Sequence, residues 1–288
     1  MKPAPFEYFD PRTADEVVAL LATHGDDAKV LAGGQSLVPM LALRLARPSV
    51  VVDVNRVSGL DAIAHSGATL SVGALVRQRA LERWAHERAP LLTTALRHVG
   101  HAPIRTRGTV AGSIAHADPA SELPALLLCL DGAVVARSHR GTRTIAAGDF
   151  FQGPLMTALA PDELVTETRW TLPPAQTGWG FREMARRHGD FALVGVAVVL
   201  TVARGAIAEA RIAIFGAAAT PLRAGETERA LRGQAPSERV LAEAARLAMT
   251  GVDAVADIHA PAAYRASVAR TLTERALADA AARAKDAA

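Results

Sequence analysis

Lys29-Val30-Leu31-Ala32-Gly33-Gly34-Gln35-Ser36-Leu37 carries an apolar run through two glycines into a second apolar segment. The pattern reads as a strand, a tight loop and the start of a helix over residues 37–46. Glycine lacks a Cβ, so the pair lets the backbone take φ > 0 and approach a bulky anion closely. Successive N–H groups there can point at phosphate oxygens. Ser36 stands where a helix N-cap would, which adds the positive end of a helix dipole to the same spot. The stretch has neither the G-x-G-x-x-G fingerprint of a Rossmann site nor the Lys-Ser/Thr of a P-loop. A pyrophosphate cradle and an ordinary strand-to-helix turn use the same residues, and this segment alone leaves both open.

A second stretch shifts the balance. Thr109-Val110-Ala111-Gly112-Ser113-Ile114-Ala115-His116-Ala117-Asp118-Pro119-Ala120-Ser121-Glu122-Leu123-Pro124 has small residues, then hydroxyl and carboxylate groups, then a proline-punctuated helix start. Two such loops can hold one extended dinucleotide. AGGQSL followed by TVAGSIAHADPASELP resembles the two flavin-binding motifs of the FAD (medium) subunit of molybdenum hydroxylases, the family of aerobic carbon monoxide dehydrogenase and xanthine dehydrogenase. The likeness runs from Phe6-Glu7-Tyr8 through Arg186-Arg187-His188-Gly189-Asp190-Phe191-Ala192 to the helical tail.

Composition agrees with a packed protein. The chain has 288 residues, half of them apolar, enough for one large or two ordinary domains. Its formal charge of +3 arises from 32 basic and 29 acidic residues, and only Lys2, Lys29 and Lys285 are lysines. With no basic run and no aromatic platform, a nucleic-acid partner is not expected. The single cysteine, Cys129, allows no internal disulfide and no all-cysteine cluster within one chain. Residues 1–10 lack a basic start followed by an apolar segment, and the apolar-rich run over 191–203 falls short of the ~18 residues a membrane helix needs. A cytoplasmic protein without a membrane span is expected.

Along the chain, residues 11–24 read as a helix with Thr13 or Asp15 near its start, ended by Gly25. Residues 49–54 and 69–74 read as strands, 76–87 and 90–99 as helices, and 123–130 as a buried helix. Strands are expected over 133–138, 142–146 and 163–171, with Pro173-Pro174 marking a domain boundary. Beyond it, 178–186, 191–202 and 210–215 read as an antiparallel sheet with Gly205 in a turn, followed by helices over 237–250 and 261–284. Strands followed by helices are α+β rather than βαβ. Without the family, no triad, metal set or base–nucleophile pair is identifiable. His98 and His101 read as surface or core histidines, Cys129 as a buried inert thiol, Arg186-Arg187 as a solvated face, and Trp179 and Phe181 as core or interface residues.

The resemblance implies an α+β chain: a two-lobed FAD-binding domain of the vanillyl-alcohol-oxidase type over 1–175, with lobes of about 1–57 and 58–175, then a C-terminal domain over 176–288. It implies that Lys29, Val30, Leu31, Ala32, Gly33, Gly34, Gln35 and Ser36 surround the FAD pyrophosphate with main-chain N–H groups. Thr109 and Ser113 would donate to phosphate or ribityl oxygens, and Gly112 would keep that loop tight. His116 lies inside the same motif. Glu122 falls where an acidic side chain accepts hydrogen bonds from ribityl or ribose hydroxyls, though such residues also cap helices. Leu164 matches an apolar residue on the isoalloxazine ring. Arg182 matches a basic residue near its pyrimidine edge, where a cation would stabilise reduced flavin. Two departures stand out: Ala111 occupies the first position of a usual Gly-Gly pair, and Ser113 a position often held by asparagine.

The implied complex has three kinds of subunit: a large one with the molybdenum cofactor, a small one with two [2Fe-2S] clusters, and this one. They assemble as a dimer of heterotrimers in which electrons reach FAD and leave to an external acceptor. A self-sufficient flavin oxidoreductase and a flavin-free scaffold subunit are the alternatives.

Overall fold

The computed structural model describes residues 2–286. The chain opens with β1 (Glu7–Phe9), α1 (Ala14–His24), β2 (Ala28–Leu31), α2 (Leu37–Ala42) and β3 (Val50–Asp53). The three strands form a parallel sheet in the order β1-β3-β2, with Val50 opposite both Glu7 and Ala28. Helix α1 starts on a capping box: Thr13 Oγ1 accepts from Glu16 N at 3.2 Å, and Glu16 Oε2 accepts from Thr13 N at 3.2 Å. Its Val17, Val18 and Leu21 are buried. Helix α2 stops well short of residue 46, because Arg44 takes φ +60° and closes the chain into a turn.

A second, antiparallel sheet follows. Its elements in chain order are β4 (Ile63–Ser66), β5 (Thr69–Gly73), α3 (Gln78–Ala85), α4 (Pro90–His98), α5 (Ala102–Arg107), α6 (Val110–His116), α7 (Glu122–Cys129), β6 (Ala133–Ser138), β7 (Gly141–Ala146), α8 (Ala147–Phe150), β8 (Phe151–Gly153), β9 (Met156–Thr157) and β10 (Leu164–Thr171). The large sheet runs β4-β5-β10-β6-β7. Every residue of α7 is buried, as its unbroken apolar run demands. The stretch read as a second loop is the helix α6. Thr109 Oγ1 accepts from Gly112 N at 3.0 Å and caps it, and alanines at 111 and 115 favour the helical state.

The last region is an antiparallel sheet, β11 (Gly178–Ala185), β12 (Ala192–Ala203), β13 (Ala206–Phe215) and β14 (Leu222–Arg223), in that order, followed by α9 (Gly225–Leu231), α10 (Glu238–Ala245) and α11 (Ala262–Asp286). The sheet is buried on both faces. Val194, Val196, Val198 and Leu200 of β12 pack toward the last helices, while Ala197 and Val199 join Phe181 and Phe215 in the core built on α4 and α7. This alternation decides which β11 side chains can reach the first sheet's helices and which face α11.

Candidate functional site

The first motif leaves β2 at Leu31 and turns through Ala32-Gly33-Gly34 into α2. Gly34 has φ +75°, a conformation a Cβ would strain. Gly33 is glycine for a different reason: a Cβ there would lie 2.6 Å from Arg107 O, 2.7 Å from Gly108 Cα and 3.0 Å from Thr109 N. The two motifs therefore touch backbone to backbone. Among the described residues, no protein acceptor takes the N–H groups of Gly33, Gly34, Gln35, Ser36 or Leu37. The first turn of a helix has no acceptor four residues back, and the glycine turn extends that bare row. Ser36 is exposed and occupies the N-cap position of α2, where its reading placed it, but at φ −104°, ψ −49° its side chain makes no capping bond. Gln35 Nε2 instead donates to Gly33 O at 3.2 Å.

A polar chain holds the two motifs together. Asn55 Nδ2 donates to Ala32 O at 2.8 Å, and Asn55 Oδ1 accepts from Arg77 Nη2 at 2.6 Å. Arg77 Nη1 reaches Arg107 O at 2.5 Å. Burial, with Arg107 nearby, lowers the Arg77 pKa, yet a guanidinium stays charged. Asp53 buttresses Asn55. Burial disfavours its carboxylate, but donors from Tyr8 at 2.7 Å and Asn55 N at 2.9 Å hold its pKa below the usual range. Nothing in the motifs pointed to Arg77 or Asn55 as site residues, since their roles come from distant carbonyls.

On α6, Thr109 is buried and its hydroxyl serves as the cap. Gly112 lies in the first turn, where a Cβ would meet Thr109 Oγ1 at 2.6 Å, so it makes room for the cap rather than tightening a loop. Ala111 lies in the helix and its methyl is buried in the core, so the departure from glycine costs no backbone strain. Ser113 and His116 are partly exposed on the same helix, with no side-chain hydrogen bond among the described residues. Lys29 is exposed on β2, while Val30 and Leu31 are partly covered.

Farther along, Glu122 opens α7 inside the protein. Burial and then the charge of Glu183 push its carboxyl up to about 8, so it is mostly neutral at pH 7. Two other expected flavin contacts have protein partners in this fold. Arg182 faces α11, pairing with Asp279 at 2.7 and 2.9 Å, on the side where Gly178 and Gly180 let α11 lie against β11. Its neighbours in the alternation, Phe181 and Glu183, face α4: the Phe181 ring is 5.1 Å from that of His98, and Glu183 Oε1 is 3.6 Å from His98 Nδ1. The period of two along β11, with Phe181 marking the inward face, was the available signal for Glu183. Leu164 is 3% exposed within the first core and offers almost no surface to a ring. Cys129 is fully buried, and burial pushes its thiol up to about 12, as an inert thiol requires. Among the described residues no group of histidine, cysteine and carboxylate side chains could hold a metal ion.

Residues 4–171 match the FAD binding domain in molybdopterin dehydrogenase, and residues 179–280 match the CO dehydrogenase flavoprotein C-terminal domain. The chain belongs to the FAD-subunit family of the molybdenum hydroxylases. It is 42% identical to the 6-hydroxypseudooxynicotine dehydrogenase complex subunit alpha of Paenarthrobacter nicotinovorans, over 99% of this chain and 97% of that one. It is 36% identical to the carbon monoxide dehydrogenase medium chain of Afipia carboxidovorans, over 99% and 100%. Carbon monoxide dehydrogenase from Hydrogenophaga pseudoflava, solved without the Mo-pyranopterin moiety, superposes with a TM-score of 0.95 at 38% identity, covering 98% of this chain and 99% of that one. As an FAD subunit of this family the chain is α+β and an oxidoreductase component. Its residues fit the flavin nucleotide: a row of N–H groups without protein acceptors suits a pyrophosphate. Among the described residues no helix is long and apolar enough to cross a membrane.

Proposed function

We propose that the chain binds FAD across the seam between the Gly33-Gly34 turn and α6. The five unpaired N–H groups of Gly33 to Leu37 receive the pyrophosphate, and this bare row carries the reading. Asn55 and Arg77 keep the seam closed through the Ala32 and Arg107 carbonyls, so the N–H groups are held in place before the ligand arrives. To the rest of the dinucleotide we assign Ser113 and His116 on α6 and Glu122 at the start of α7. Thr109 acts by capping α6.

When bound, the flavin supplies the electron chemistry, taking electrons from the [2Fe-2S] clusters of a small partner subunit and passing them to an external acceptor. The chain's residues bind and orient it, and none of them is assigned a step of substrate oxidation. The relatives are named as subunits or medium chains of complexes, which supports an assembly with further subunits; to these we assign a large molybdenum-cofactor subunit and a small iron–sulfur subunit, in a dimer of heterotrimers in the cytoplasm. We place the FAD-binding domain at residues 1–175 and the C-terminal domain at 176–288.

The test is the visible spectrum of the purified chain after incubation with FAD and desalting, with mass identification of the ligand released by acid. Retained FAD is the expected result. A chain folded by circular dichroism that retains none, alone and co-expressed with the neighbouring subunits, refutes the reading.

A further inference from the structure

Helix α2 and the turn behind it are apolar on the outside. In the run Leu37-Val38-Pro39-Met40-Leu41-Ala42-Leu43-Arg44-Leu45-Ala46 the one polar side chain is Arg44. Only Leu41 of the helix is buried, whereas Val38 is 50% exposed, Leu43 60% and Leu45 72%. A helix that is apolar all round belongs in an interior. Single exposed apolar side chains are ordinary, but several together beside charged groups mark a surface that another molecule covers.

These leucines stand on fixed backbone. Arg44 takes φ +60°, a costly conformation for a residue with a Cβ, and its N–H donates to Leu41 O at 3.0 Å. Leu45 N and Ala46 N both donate to Met40 O, at 2.9 and 3.3 Å. Arg44 Nε reaches Lys2 O at 3.2 Å, and Arg47 Nε reaches Arg44 O at 3.0 Å. The turn is therefore locked with Leu43 and Leu45 exposed, and little backbone freedom is left to lose when something covers them.

The charges beside the leucines give the sign of the occupant. Lys2, Arg44 and Arg47 are exposed, and the bonds of the two arginines go to neutral carbonyls. Among the described residues none of the three forms an ion pair, while Arg12 and Arg56 share Asp10. A second copy meeting this patch about a two-fold axis would set these cations against themselves. A helix lying on a membrane needs a polar face opposite its apolar one, and α2 has none.

We propose that α2 and its turn are the docking surface for a partner subunit that presents an apolar hollow bordered by carboxylates, an inference that rests on the multi-subunit reading above. Val38, Leu43 and Leu45 fill the hollow, and Lys2, Arg44 and Arg47 meet the carboxylates. The segment thus carries the N–H row at one end and the docking leucines at the other.

The test uses the full chain, tagged, co-expressed with its neighbouring subunits and purified as the complex. Leu43→Asp combined with Leu45→Asp should weaken subunit association by roughly 30-fold or more, the loss of an interface hot spot. Arg47→Glu should weaken it less, with a deficit that shrinks as salt is raised. Both leucines are exposed, so the double variant alone should keep the wild-type urea midpoint and retain FAD, which separates lost docking from lost fold. Hydrogen exchange needs no substitution: the amides over residues 37–47 should exchange more slowly in the wild-type complex than in the free chain.

A folded double variant that assembles with wild-type affinity overturns the docking surface, as does exchange over 37–47 that assembly leaves unchanged. So does a dimer of the chain alone, or binding of the chain to phosphatidylglycerol vesicles, that the double variant abolishes, for the surface then belongs to a second copy or to a bilayer. Failure of the underlying reading looks different: the wild-type chain then co-purifies with no other subunit, and the docking surface falls with it.

Discussion

Replacing Gly33 with alanine probes the contact between the two motifs directly. The new Cβ would meet Arg107 O at 2.6 Å, Gly108 Cα at 2.7 Å and Thr109 N at 3.0 Å, all of them backbone. Relieving the closest approach to an ordinary separation of roughly 3.4 Å requires the loops to part by about 0.8 Å. The opposing segment resists. Gln78 N donates to Gly108 O at 2.9 Å, Gly108 N to Ile104 O at 2.7 Å, Val110 N to Val76 O at 3.0 Å, and Arg77 clamps Arg107 O. Overpacking of this kind costs about 1–3 kcal/mol. Some of that appears as lost stability and the rest as work to close the seam around the ligand, up to about a 100-fold loss of FAD affinity at ~1.4 kcal/mol per tenfold. Gly34→Ala differs, because its nearest neighbours are the Val38 and Leu31 side chains at 3.1 and 3.4 Å and its cost is the φ of +75°, about 1–2 kcal/mol. The assays are urea unfolding of the flavin-free chain and FAD titration of the folded one. A Gly33→Ala protein that unfolds with wild-type stability and binds FAD with wild-type affinity refutes the touching-loop geometry.

Arg77→Ala removes the donors to Arg107 O and Asn55 Oδ1 and should lower both stability, by about 1–3 kcal/mol, and FAD retention after desalting. Arg182→Ala breaks a partly exposed pair with Asp279, so stability should fall by no more than about 1 kcal/mol and FAD affinity should not change; a marked loss of affinity would restore Arg182 to the site. Ser36→Ala should unfold within about 0.5 kcal/mol of wild type, because the hydroxyl caps nothing. Cys129 should resist thiol reagents at about pH 8 in the folded chain and react once urea exposes it, and prompt labelling of the native protein would contradict the buried thiol.

How far the sequence could be read follows from the range of the physics behind each residue. The helix start near Thr13, the apolar run of α7 and the strand β12 are set by neighbours within a few residues, so local pattern found them. The second motif misled because small residues suit both a loop and a helix, and only the Thr109 cap, seen in three dimensions, decides between them. Gly33 shows the same limit at the site: its need for glycine comes from Arg107 and Gly108, far away in sequence, whereas Gly34 is glycine for a local reason that a turn motif announces. Matching a motif by residue type placed the β11 contact on Arg182, the basic side chain. The strand's alternation turns Arg182 toward α11 and Asp279, and turns Glu183, one residue on and of opposite charge, toward α4 and His98. That single step sets a cation on the α11 face of β11 and an acid on its α4 face. What this chain does electrically to its ligand on that side therefore depends on which face of one strand is read, and Arg182→Ala set beside Glu183→Gln in the same FAD titration separates the two.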